Sequence, residues 1–525
     1  MIFDAASTKG HGQCLTTKEE EQMKFYQNKI GVFSTMVVAA VFASTMARAD
    51  AVTIVLNEEP ANLDPCEVAS DFIGRVGLGN IYEALTIRDA ETGELKPALA
   101  TSWEEGENNS WTFTLRDGVK FHDGADMDAA AVKYAMERTL DDTLTCESRT
   151  KFFSGNDYTI EAVGDGAIQV TTGVRDPILP LKMSNMMIGS PAMPTGESVR
   201  TSAGTGPFEL ATWDAGQQIV LEKFDEYWGE NDGVDSGTFV WRAESSVRAA
   251  MVKQGEADFA PSIAEQDASE DIAVGYPNAE SIRLTLDNLL PPMNDKRVRL
   301  AINLALDRDA MLGTIVPESA SKATQLFLPS TAGWSENVTM YDYDVERAKE
   351  LIAEAKADGV PVDTEIQLAG RIGHFPNANE YHEAVAIMLN QIGLNVKLEW
   401  FEAAVKNKMQ VKPFDPNRRP QIFVDQHDNT AGDPVFTIPS RYRSDGSQSK
   451  LSDPKLDAMI DEAISATGEE RVAKWKAVSE YIDTEILPDA LMFHMVGFAA
   501  IGPNVEYTPN MTTNSSVKLR DFAVK

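Results

Sequence analysis

Between residues 97 and 138 the apolar pattern of the chain switches from a strand period of about 2 to a helix period of about 3.6, and this switch dictates the local architecture. In 111–115, Trp111, Phe113 and Leu115 fall on one face and Thr112 and Thr114 on the other, as in a half-buried strand. Arg116-Asp117-Gly118 turns the chain, Phe121 and His122 follow, and Asp123-Gly124 turns it again. Asp128 is placed to cap a helix whose Ala131, Val132, Ala135 and Met136 recur at helical spacing. On periodicity alone this is an ordinary α+β unit.

The rest of the chain alternates in the same way. Strands are predicted over 52–56, 167–171, 219–224, 282–286, 364–368, 395–401, 421–425 and 492–501. Helices are predicted over 72–85, 245–254 (stopped by Gly255), 296–312, 343–356, 380–392, 454–466 and 469–487. Strands alternating with helices of this length indicate α/β lobes, and 525 residues suffice for more than one. Gly204-Thr205-Gly206 lacks the third glycine and following helix of a dinucleotide fingerprint and reads as a tight turn.

Charge narrows the partners. With 47 basic and 81 acidic residues, the formal charge of −34 repels nucleic-acid phosphates and anionic headgroups, so no nucleic-acid role is expected. Near the N-terminus, Lys24 and Lys29 precede an uncharged apolar run over 30–43, shorter than the roughly 20 residues a membrane span needs. Ala47-Arg48-Ala49 then offers a small-x-small site, so 1–49 reads as a secretory signal cleaved after Ala49, with Met23 a plausible start and 1–22 an upstream extension. Removing its five basic and four acidic residues from the totals leaves 42 and 77. The expected location is the periplasm.

Of three cysteines, Cys66 and Cys146 lie beyond the leader, both in turn-like sequence. An oxidising compartment permits a disulfide between them; two separate thiols are the alternative.

The residue identities over 97–138 resemble the bacterial extracellular solute-binding proteins of family 5, the dipeptide, oligopeptide, nickel and opine receptors of ABC importers. Further text is similar to that family: Gly204-Thr205-Gly206-Pro207-Phe208 leading to Phe224, Tyr227 and Trp228; Arg248, Ala250 and Met251 before Gly255-Glu256-Ala257-Asp258; and Val298-Arg299 through Asn303 to Leu306-Asp307-Arg308. The resemblance implies an α/β, two-lobed periplasmic binding protein fold of type II-like form, with an extra subdomain in the first lobe. Lobe I would comprise 50–286 with 501–525 and lobe II 287–490. Segments near 286–293 and 491–500 would form the hinge.

Candidate ligand groups follow. The polar cluster 425–429 sits where a strand leaves its sheet, the usual place for ligands in open α/β sheets. Among relatives, an aspartate at this strand end holds the ligand's amino group, and Asp428, with His427 beside it, is the best match. The alternative is an Asx turn, since Asp and Asn form turns readily; Asp433 before Pro434 reads as a cap. The resemblance also implies that Arg371 takes a ligand carboxylate, for which a guanidinium fork is suited, and that Ser70 and Asp71 line the cleft. No Cys/His set has zinc spacing, and neither a nucleophile elbow nor a P-loop is present. No metal, cofactor or catalytic constellation is therefore expected.

Together these readings imply a monomeric receptor that captures a small zwitterion (a short peptide, amino-acid conjugate or opine) and hands it to an ABC permease. A sugar or metal-complex receptor, a secreted hydrolase, and a periplasmic sensor partner or chaperone are the alternatives.

Overall fold

The structure is a computed structural model that describes residues 50–525 apart from Ser70, 90–91, 201–202, Gly373 and Pro376. The expected leader over 1–49, its cleavage point and Ser70 lie outside the described residues.

One sheet organises the molecule. Its main strands are β1 (Ala51–Leu56), β2 (Phe208–Asp214), β3 (Gln218–Lys223), β4 (Ser236–Trp241), β5 (Phe259–Ile263), β6 (Ala273–Leu286), β7 (Glu365–Arg371), β8 (Asn395–Phe401), β9 (Gln421–Asp428) and β10 (Asp489–Ile501). Their spatial order is β2-β3-β4-β1-β5-β10-β6-β9-β7-β8. β1 runs parallel to β4 and β5, and β7 runs parallel to β8 and β9. Between these two parallel groups, β10 and β6 pair antiparallel to their neighbours.

Each parallel group has its own core. Val52, Ile54, Phe208, Ile219, Phe239 and Phe259 bury against Val517, Leu519 and Phe522 of the C-terminal tail. Ile366, Leu368, Ile422 and Val424 pack with Val298 and Ile302 of the helix Lys296–Ala305. A third core lies in a four-stranded sheet built from Ala100–Glu105, Ser110–Leu115, Ala167–Thr172 and Tyr158–Val163. There Phe113, Ile168 and Val170 meet Val132 and Met136 of the helix Ala129–Leu140, whose first turn Asp128 caps through the Ala131 N–H at 2.8 Å. A disulfide joins Cys66 to Cys146, with Cα atoms 4.9 Å apart.

Among the described residues, two of the main strands serve both parallel cores. β6 leaves the first after Tyr276 and enters the second at Ile282; β10 passes from Phe493 in the second to Ala499 in the first. Their register breaks at this crossing. Pro277 faces Val496 and Ser281 faces His494, so Asn278, Ala279 and Glu280 lie opposite Met495 alone. Such a bulge bends a strand and re-aims its side chains.

Several predicted bounds shift for identifiable reasons. The helix expected over 72–85 stops at Gly77. The chain turns there, and the backbone carbonyls of Asn80 and Ile81 accept from the N–H groups of Phe208 and Gly206, each at 3.0 Å, rather than from a continuing helix. Gly204 makes that approach possible, since a Cβ there would lie 1.9 Å from the Ile81 carbonyl oxygen. The helix expected over 296–312 is divided, because Asp307 caps a second short helix, Arg308–Met311. The strand expected over 282–286 begins at Ala273, its first half being the part that reaches the other core.

Candidate functional site

The C-terminal ends of β1, β5 and β7 converge on the crossing of β6 and β10, around a cavity of about 230 Å³. Asn57 follows β1, Ser262 and Ile263 end β5 with Ala264 and Glu265 beyond, and Arg371 ends β7. Asn278 and Glu280 enter from the bulge of β6 and Gln426 from β9, while Met495, Val496, Gly497 and Phe498 of β10 cross it. The loop 315–317 and the segment around His374 and Phe375 complete the wall on the β7 side. Both cores contribute, at the place where ligands meet open α/β sheets.

A polar chain connects the walls. Arg75, near the end of the helix Asp71–Gly77, donates to the Asn57 side chain at 3.0 Å and to the Asn514 side chain and carbonyl at 2.9 and 2.7 Å. Asn514 donates to one Glu280 carboxylate oxygen at 2.8 Å, and Gln426 donates to the other at 2.6 Å. This chain fixes the orientation of the carboxylate while leaving it on the cavity surface.

On the opposite wall, Arg371 is half-buried, and its Nε–H has no hydrogen-bond partner among the described residues. Burial raises the Glu58 carboxyl above its usual range, and the charges of Arg371 and Arg75 oppose that rise. Burial likewise pushes His374 down to about 3, aided by the charges of Lys406 and Arg371, so its imidazole is neutral at pH 7. The cavity thus presents a guanidinium, a fixed carboxylate, neutral amides and aromatic surface from Phe375 and Phe498. Such a set can bind both signs of charge on one small molecule. Among the described residues, no group of three or more His, Cys, Asp or Glu is arranged to hold a metal ion.

The anticipated residues separate. Arg371 lines the cavity. Asp428 ends β9 outside the lining, and its carboxylate accepts the Thr430 N–H and hydroxyl, each at 2.8 Å, which is an Asx turn. His427 points to the other face of β9, is buried, and sets its ring edge-on to Phe327 with centroids 5.7 Å apart. Asp71 opens the helix that carries Arg75. Asp433 caps the turn Pro434–Phe436 through the Val435 N–H and pairs with Arg471 at 2.8 Å. Sequence reasoning missed Asn57, Arg75, Glu280 and Gln426. Asn57 directly follows a buried strand, and Gln426 sits on the alternate face of the cluster already singled out; both signals were available. Glu280 depends on a bulge that no local pattern announces.

Residues 94–448 match the family described as bacterial extracellular solute-binding proteins, family 5 middle. The glutathione-binding protein GsiB of Escherichia coli (strain K12) is 28% identical over 343 residues, 62% of this chain and 66% of GsiB, so the match spans just under two thirds of that relative. Heme-binding protein A of Haemophilus influenzae is 25% identical over 466 residues, covering 81% of this chain and 84% of that one. The solved structure of the ABC transporter-associated periplasmic binding protein DppA from Helicobacter pylori, in complex with peptide STSA, superposes with a TM-score of 0.75 at 21% identity. It covers 90% of this chain and 98% of DppA, a likeness of fold that establishes the two-lobed architecture. With its match over residues 94–448, this chain belongs to the bacterial extracellular solute-binding proteins of family 5.

Proposed function

We propose that the protein is a periplasmic receptor that holds one small zwitterionic solute in the cavity between its two parallel-sheet cores and passes it unaltered to an ABC permease. The observation that carries this reading is the cavity itself, bounded by both cores, with Arg371 on one wall and the Glu280 network on the other. Arg371 receives a carboxylate through its fork, and Glu280 receives an ammonium or amide N–H. At about 230 Å³ the space is smaller than the roughly 300–1,000 Å³ of drug-sized pockets. A short peptide, amino-acid conjugate or opine suits it; a tripeptide such as glutathione is the upper end, and a porphyrin exceeds it. The receptor works as a monomer, exported by cleavage after Ala49. The hinge lies where β6 and β10 change cores, near 277–281 and 494–498, so its first segment falls earlier in the chain than the 286–293 expected from the sequence.

Native mass spectrometry of the purified protein, followed by thermal-shift screening against dipeptides, glutathione and opines, tests this. A solute at 100 times its Kd stabilises by about 2.7 kcal/mol. Arg371→Ala is expected to weaken a carboxylate-bearing solute at least tenfold. No stabilisation by any of these classes, or chemical conversion of the bound solute, would overturn the reading.

A further inference from the structure

Away from the cavity, the third core meets the loop that follows β9. Arg88 ends the short strand Thr86–Arg88, beside the third core, and crosses to the loop after β9. Its Nη1 donates to the Thr430 carbonyl at 3.0 Å and its Nη2 to the Ser330 carbonyl at 3.4 Å. Gly432, at φ +71°, lies directly under the guanidinium: a Cβ there would sit 2.1 Å from Arg88 Cζ and Nε. Beside it, Phe436 sets its ring edge-on to Phe152 with centroids 5.2 Å apart, and Ala431 packs on the third core.

The receiving loop is held by the crossing stretch of β6 and by its own lobe. Asn429 donates to the Ala279 carbonyl at 3.0 Å and the Ser281 hydroxyl at 3.2 Å. Asp428 fixes Thr430, and Arg471 grips Asp433 with two hydrogen bonds of 2.8 and 3.1 Å. So Thr430 O is presented rigidly, and a guanidinium from the other lobe reaches it over a bare glycine.

We propose that Arg88 and the loop 428–436 form a solute-independent latch that favours the closed arrangement of the lobes. Its consequence for affinity rests on reading the cavity as the solute site; the latch itself does not. Opening would return both carbonyls and the guanidinium to water and separate Phe152 from Phe436. Closing therefore gains a charge-assisted contact that no solute supplies, and a larger closed fraction raises apparent affinity in proportion.

The test needs no solute. Spin labels are placed at Val174→Cys and Ile387→Cys, which are 70% and 67% exposed on the two lobes. The background is Cys14→Ser, Cys66 and Cys146 being bonded to each other. Pulsed electron paramagnetic resonance then reads the inter-lobe distances of the solute-free protein. Arg88→Ala and Arg88→Met are each expected to lower the ratio of short to long distances by roughly tenfold, the scale of one hydrogen bond to a charged group. Circular dichroism confirms that each variant is folded, Arg88→Met keeping an apolar stem where Arg88→Ala leaves a gap. Distance distributions that coincide in the parent and in either folded Arg88 variant would overturn the latch. Because solute is absent throughout, a failed solute screen leaves this result unaffected.

Discussion

Asp428 accepts both the backbone N–H and the hydroxyl of Thr430, at 2.8 Å each. A carboxylate engaged twice by its own loop is a local organiser. Asp428→Asn keeps one acceptor oxygen and is expected to leave solute affinity within about threefold, with a loss near 1 kcal/mol in urea unfolding, the scale of one hydrogen bond. Isothermal titration of both proteins with one dipeptide decides the matter: a loss of affinity well beyond threefold, at unchanged stability, would assign Asp428 to the ligand.

Lys406 and Asp425 form a buried ion pair at 2.7 Å beneath the cavity wall, and Gln410 and Thr285 also donate to the carboxylate. Burial opposes ionisation of Asp425, yet Lys406, Arg441 and Arg283 hold its carboxyl well below the usual range. Lys406→Met strands that charge and is expected to cost about 3–5 kcal/mol. Lys406→Met combined with Asp425→Leu should recover part of the loss in urea unfolding. A double variant no better than the single one would refute the pairing.

The disulfide closes a loop with a sequence separation of 80. Chain entropy assigns such a closure about 4.5 kcal/mol. Replacing both Cys66 and Cys146 by Ser is expected to lower Tm by several degrees while the far-ultraviolet circular dichroism is retained. An unchanged Tm would show that the crosslink adds nothing to the packed native state.

Burial pushes His122 to about 4, His382 to about 4 and His494 to about 4, and His374 to about 3. Each lies below its unfolded value near 6.5. Between these limits the unfolded chain binds more protons than the folded one, so stability rises with pH in that window. It is fully present above about 6.5 and declines as pH falls toward 4. Tm measured from pH 7.5 to 4.5 should therefore drop progressively below pH 6.5; a flat profile would contradict neutral buried imidazoles.

The sequence was most informative where one periodicity governs one element. Asp128 capping Ala129–Leu140 and Gly255 closing Ser245–Gln254 follow from residues within a turn of each other. It was least informative where distant backbone intervenes. Nothing near Gly79 or Asn80 announces that Gly206 and Phe208 will bond to that stretch and end its helix. The site divides in the same way. Arg371, Gln426 and Asn57 lie at ends or alternate faces of recognisable strands. Glu280 belongs to the cavity only because β6 and β10 slip in register there, and Arg75 through Asn514, over 400 residues away.

The position of β10 in chain order has a consequence for biogenesis. This strand sits in the middle of the sheet, flanked by β5 and β6, yet comprises residues 489–501 of 525. Until synthesis passes residue 501, the sheet lacks its central member, and β5 and β6 each carry a bare edge. The nascent chain thus stays incompletely assembled for nearly its whole length.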